Sequence, residues 1–180
     1  MPKPNMLHIS SISRLHELAG FDKPSHPLIS IINVADWEIT EEMLELKMTS
    51  DLYSIGLKDK SCGLQYGRNH YDFDEGVMFF TSPNQVQSVE QTQKRNEVQG
   101  WMLFFHPDLI RNTDLGRNID NYRFFDYEVH EALHLSEAEQ ATITNCVKLI
   151  EQEVGERIDN HSQTVIASSL TLLLDLSQRY

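Results

Sequence analysis

The hydrophobic period of this chain changes once, and that change limits the folds open to it. From Leu28 to Phe105 the apolar residues come in short β-branched or aromatic runs bounded by turn formers; after Ser136 they recur every third or fourth residue. The first pattern belongs to strands whose side chains alternate between two faces, the second to amphipathic helices. A mainly β unit followed by helices is expected, of α+β class.

The strand-like runs are Leu28 to Val34, Leu52 to Leu57, Cys62 to Tyr66, Gly76 to Thr81, Val86 to Val89 and Gly100 to Phe105. Their spacing predicts a sandwich or a closed antiparallel barrel. Ser82-Pro83-Asn84 reads as a tight connection, because Pro presets one turn dihedral and Asn tolerates the next. Residues 90 to 99 read as a polar hairpin loop. Ahead of the strands, Ser11 to Gly20 reads as a short helix with a serine entry and a glycine stop. Beyond them, Pro107 at a first helical position predicts a short helix, and Tyr122 to Val129 returns to strand-like sequence.

Ser136-Glu137-Ala138-Glu139 has the form of a capping box, in which Ser136 and Glu139 each satisfy the other's backbone N–H. The helix it starts carries Ile143, Val147, Ile150 and Val154 on one stripe and ends near Gly155. Asp159 or Asn160 then caps a second helix. That helix carries two stripes: Ile166, Leu170 and Leu173, and, displaced around the axis, Val165, Leu172 and Leu176. The short link from Glu156 to Ile158 makes the two helices antiparallel neighbours. The second stripe then faces either the barrel or a second subunit, with Val165, Ser169, Leu172 and Leu176 as the interface in the latter case.

A chain of 180 residues, 40% of them hydrophobic and 23% charged, suits one globular domain. Its 15 Lys and Arg against 27 Asp and Glu leave a net charge of −12, opposite to what a phosphate-binding surface requires. Lys94-Arg95 is the nearest approach to a basic patch. The first twenty residues hold no signal-peptide core and no later segment reads as a membrane span, so a cytoplasmic protein is expected. Cys62 and Cys146 lack metal or disulfide spacing and are expected to be reduced and buried.

Three groups of residues invite a chemical reading. His130-Glu131-Ala132-Leu133-His134 matches H-E-x-x-H, in which two histidines one helical turn apart hold zinc and the glutamate acts on its water. With Ser136 as the N-cap, however, the helix begins too late to carry it. His70, Asp72, Asp74 and Glu75 crowd donors into a loop that reads as a charged turn, without the alternation of a calcium loop. Tyr53, Tyr66, Tyr71, Trp101 and Phe105 could line a barrel interior and hold a small organic ligand. Along the last strand Trp101, Leu103 and Phe105 alternate with Met102, Phe104 and His106. Both sets are largely apolar, so the alternation leaves open which set faces inward.

Several segments in order, SISRLHELAGFDKPSHPLISII, YDFDEGVMFFTSPNQV, GWMLFFHPDLI, FFDYEVHEALHLSEAE and NHSQTVIASSLTLLLDL, together resemble the N-terminal domain of AraC-type transcription regulators, in the form common in Bacteroidetes-like bacteria. The resemblance covers nearly the whole chain. It implies an N-terminal arm and short helix over residues 1–27, a cupin-like barrel (a double-stranded β-helix) over 28–135, and a helical pair over 136–180. Such a domain senses a small-molecule effector and forms a homodimer; DNA is bound by a C-terminal helix-turn-helix domain expected beyond Tyr180. No catalysis, metal or cofactor is implied, since His70 to Gln87 offers only one histidine of the set that metal-binding cupins use. The competing expectation is a metal-dependent cupin enzyme or zinc hydrolase using His130, Glu131 and His134. A free-standing sugar-binding or isomerase-like cupin is a third.

Overall fold

The chain's described part opens with a short strand, β1 (Met6–Ile9), and turns at once into a helix, α1 (Ile12–Ala19). The computed structural model describes residues 6–37, 47–58, 76–88, 99–126, 132–159 and 161–180. Ser11 starts α1 by accepting from the Arg14 N–H at 3.1 Å. Gly20 ends it at φ 74°, a left-handed conformation that glycine adopts without steric cost. Both limits are those expected from the sequence.

The strands that follow are β2 (Ile29–Asn33), β3 (Lys47–Ser50), β4 (Tyr53–Lys58), β5 (Gly76–Thr81), β6 (Gln87–Ser88), β7 (Gly100–Phe105) and, after a helical interruption, β8 (Leu133–Leu135). A five-stranded antiparallel sheet runs β2-β7-β4-β5-β8, and a smaller one runs β1-β3-β6 with β1 and β3 parallel. Among the described residues the two sheets do not close into a continuous barrel. His8 ties the parallel pair together, meeting Thr49 Oγ1 at 3.0 Å and Asp51 Oδ2 at 3.2 Å. The run from Cys62 to Tyr66 and the loop at 90 to 98 lie outside the described residues.

From β7 to residue 126 the described chain is helical rather than strand-like. Pro107 opens a 3-10 turn at Pro107–Leu109, with the His106 ring accepting from Asp108 N–H at 3.2 Å. A short helix, α2 (Asp114–Asn118), is capped by Thr113. Two further 3-10 turns follow, Ile119–Asn121 and Arg123–Phe125, and the second occupies part of the stretch from Tyr122 that was expected to be a strand. The correction has a physical cause: Tyr122 and Phe125 are buried and Phe124 half-buried, and tight turns direct all three rings to one side of the chain. Alternating strand geometry would have exposed one of them.

The capping box forms as expected and starts α3 (Glu137–Gly155): Ser136 N–H donates to Glu139 Oε2 at 2.8 Å, and Glu139 N–H to Ser136 Oγ at 3.5 Å. The Ser136 hydroxyl, which also donates to Glu139 Oε2 at 2.6 Å, and then the Ser136 N–H hold the Glu139 carboxyl below its usual pKa. The last helix, α4 (Ser162–Arg179), takes its N-terminal bonds from Asp159, whose carboxylate accepts from the backbone N–H groups of His161 at 2.7 Å and Ser162 at 3.1 Å. Ile143, Val147 and Ile150 of α3 and Ile166, Leu170 and Leu173 of α4 enter one core with Ile29, Ile55, Leu103 and Phe105 of the sheet. Cys146 is a free thiol in that core, its pKa raised by burial. Each large aliphatic side chain so buried contributes about 1.5–3 kcal/mol relative to exposure. No described helix is long and apolar enough to cross a membrane.

Candidate functional site

Alternation along β7 divides the five-stranded sheet into two unlike faces. Trp101, Leu103 and Phe105 point to the α3–α4 side, whereas Met102 and Phe104 join a second core with Ile12 and Leu15 of α1 and Ile32 of β2. Directly paired residues on adjacent strands share a face, so the registers of β2, β4 and β5 assign their side chains too.

Of the aromatic residues expected to line a ligand site, Tyr53, Trp101 and Phe105 all lie on the α3–α4 side. Tyr53 stacks on Phe105 with ring centroids 4.9 Å apart and meets Phe125 edge-on at 5.0 Å. Phe80 stacks on Phe124 at 4.0 Å in the same aromatic group. Burial, and then the charge of Asp120, raise the Tyr53 phenol's pKa. Trp101 donates from Nε1 to Thr144 Oγ1 of α3 at 3.4 Å. Tyr122 donates to Asp175 Oδ1 of α4 at 2.7 Å, and its pKa is raised by burial together with that hydrogen bond. These rings and their polar tips join the sheet to the helix pair. Tyr66 and Tyr71 lie outside the described residues.

The opposite face carries polar groups that no local sequence signal singles out. Ser30, Phe104, Ser54 and Thr81 stand in one row across β2, β7, β4 and β5. All three hydroxyl residues of the row are buried. Ser30 is satisfied by α1: His16 Nδ1–H donates to the Asp22 carbonyl at 2.6 Å, which leaves Nε2 to accept from Ser30 Oγ at 2.8 Å. Ser54 is only 3% exposed, and its hydroxyl has no hydrogen-bond partner among the described residues. Trp37, whose ring meets Phe104 edge-on at 6.0 Å, likewise buries an indole N–H with no partner among them. In the next row Gly56 stands opposite Phe79, and the Phe79 ring occupies the space that a Cβ at Gly56 would need. The signal for this face was alternation on four strands at once, which requires the registers.

The helix pair has its own unusual surface. Ile166, Leu170 and Leu173 are fully buried, while Val165 is 43% and Leu172 48% exposed, with Ser169 and Leu176 half-buried between them. Leu149 of α3 and Ile158 of the link are each 54% exposed. Residues 162–174 of α4 contain no charged side chain.

His134 of the H-E-x-x-H match lies on β8, paired with Val77, so a helix does not carry that histidine. His130 and Glu131 lie outside the described residues, as do the four donors from His70 to Glu75. No protein-family model matches the chain, and no curated protein matches it.

Proposed function

We propose that this chain is the effector-sensing and dimerisation domain of a cytoplasmic AraC-type transcription regulator, with a cupin-like barrel for a small-molecule effector and DNA recognition left to an attached domain. The sequence segments quoted above support the family. The observation that carries the dimer is the outer stripe of α4. Val165, Ser169, Leu172 and Leu176 alternate at four and three residues, the seam spacing of paired helices. In a chain of net charge −12 the segment 162–174 is uncharged, so two copies can meet there without repulsion. A second copy of this chain is the occupant that best suits it.

Effector occupancy would act by favouring one arrangement of the two subunits, and with it one presentation of the attached DNA-binding domains. The test is sedimentation velocity at about 50 µM, a range that detects modest affinities. A dimer is expected for the native chain, and a monomer of unchanged melting temperature for Val165→Glu/Leu172→Glu. A native chain that sediments only as a monomer overturns the proposal.

A further inference from the structure

We propose that the α1-facing side of the sheet, at Ser54 and Trp37, binds a small planar molecule bearing an uncharged carbonyl, such as a carboxamide. The site rests on the sheet face alone; its role as the effector site rests on the function proposed above.

Two buried polar groups without partners oppose folding unless something else repays them, and both border the same ring. Ser54 is the direct cross-strand neighbour of Phe104, and the Trp37 indole meets that ring edge-on. Such orphaned groups are rare in native interiors and call for a specific explanation. The fold does satisfy a hydroxyl in the same row where it needs to, since His16 bonds Ser30. Chemistry then narrows the ligand. An indole N–H only donates, so the ligand must offer an acceptor to Trp37; a hydroxyl can donate or accept, so Ser54 suits the same carbonyl oxygen or an adjacent amide N–H. The row of Ser30, Phe104, Ser54 and Thr81 carries no charge, which favours an uncharged ligand. Phe104, Met102 and Ile32, buried in one cluster with Ile12 and Leu15 of α1, make the surroundings of these two groups apolar, which favours a ligand with a flat ring.

Benzamide is the probe, with toluene as the aromatic control lacking the carbonyl. The chain has two tryptophans, one on each face, so the two indole N–H signals in a proton–nitrogen correlation spectrum report the faces separately. Trp37→Phe and Trp101→Phe assign them. Benzamide is expected to move the Trp37 signal downfield and saturably, leaving Trp101 in place, while toluene causes no downfield shift. Ser54→Ala should weaken benzamide about three- to tenfold, the usual effect of one hydrogen bond. The same substitution should raise the melting temperature of the free protein, because it deletes an unpaired buried hydroxyl. An unmoved Trp37 signal, equal movement of both signals, or a lower melting temperature for Ser54→Ala would each overturn the proposal. Saturable Trp37 binding by a chain that never dimerises would keep this site and sink the regulatory reading; dimerisation without Trp37 binding would do the reverse.

Discussion

The two faces of the five-stranded sheet are built from the same four strands, β2, β7, β4 and β5, and differ in how completely they are satisfied. On the α3–α4 side, aromatic rings stack and two polar tips reach partners on the helices: Trp101 on Thr144, Tyr122 on Asp175. On the α1 side, three buried hydroxyl residues share a row with a phenylalanine, and the Ser54 hydroxyl and the Trp37 indole lack partners among the described residues. Pairing buried polar atoms adds stability; a face that keeps polar atoms unpaired forgoes stability and retains the capacity to recognise something.

Core truncation on the paired face tests this division most strongly. Phe105→Ala removes a fully buried ring stacked on Tyr53 and is expected to lower the urea unfolding free energy by about 3–5 kcal/mol. Phe104→Ala, its neighbour on the other face, should cost at least about 1 kcal/mol less, within the spread that such sites show. Equal losses would break the comparison.

Crowding supplies the next effect. Gly56→Ala puts a methyl group where the Phe79 ring lies, and overpacking of this kind costs about 1–3 kcal/mol. The double variant Gly56→Ala/Phe79→Leu should recover most of the loss in thermal melts. Without recovery, the ring is not what excludes a side chain at position 56.

Tyr122→Phe deletes the hydroxyl that reaches α4, and about 1 kcal/mol is expected from chemical denaturation. An unchanged midpoint would mean that packing alone joins the turn to the helix.

The smallest effect is a pH dependence in the link from α1 to β2. Burial lowers the pKa of His26 below the ordinary imidazole value of about 6.5, and its Nδ1 accepts from the Leu28 N–H at 3.1 Å. The unfolded chain therefore binds the proton more readily than the folded one. This contribution to stability is present above about pH 6.5 and is lost as pH falls below it toward the folded value. The urea midpoint should fall between pH 7.5 and 5.5, and His26→Gln should flatten that fall.

Local chemistry was legible wherever one short segment contained its own reason. Ser11 and Gly20 bound α1, Ser136 and Glu139 start α3, and β5 and β7 occupy the limits that their flanking turns imply. The strands β1 and β3 were not foreseen, because Met6–Ile9 and Lys47–Ser50 are only four residues each, the second largely polar, and they gain their ladder from each other, 41 residues apart. Aromatic composition misled at Tyr122 to Phe125, where burial was achieved by tight turns.

The candidate site divides the same way. That Trp101, Leu103 and Phe105 share a face follows from the two-residue period of any strand. Which face meets the helix pair could not follow, because both sets are largely apolar and either could be covered. Tertiary packing settled it by placing α3 and α4 against the odd-numbered side of β7 and α1 against the even-numbered side. Only the registers then aligned Ser30, Ser54 and Thr81, three unremarkable residues in sequence, into one buried row. Sequence determines a side chain's neighbours within a turn of helix or a step of strand; cross-strand neighbours exist only once distant segments have paired.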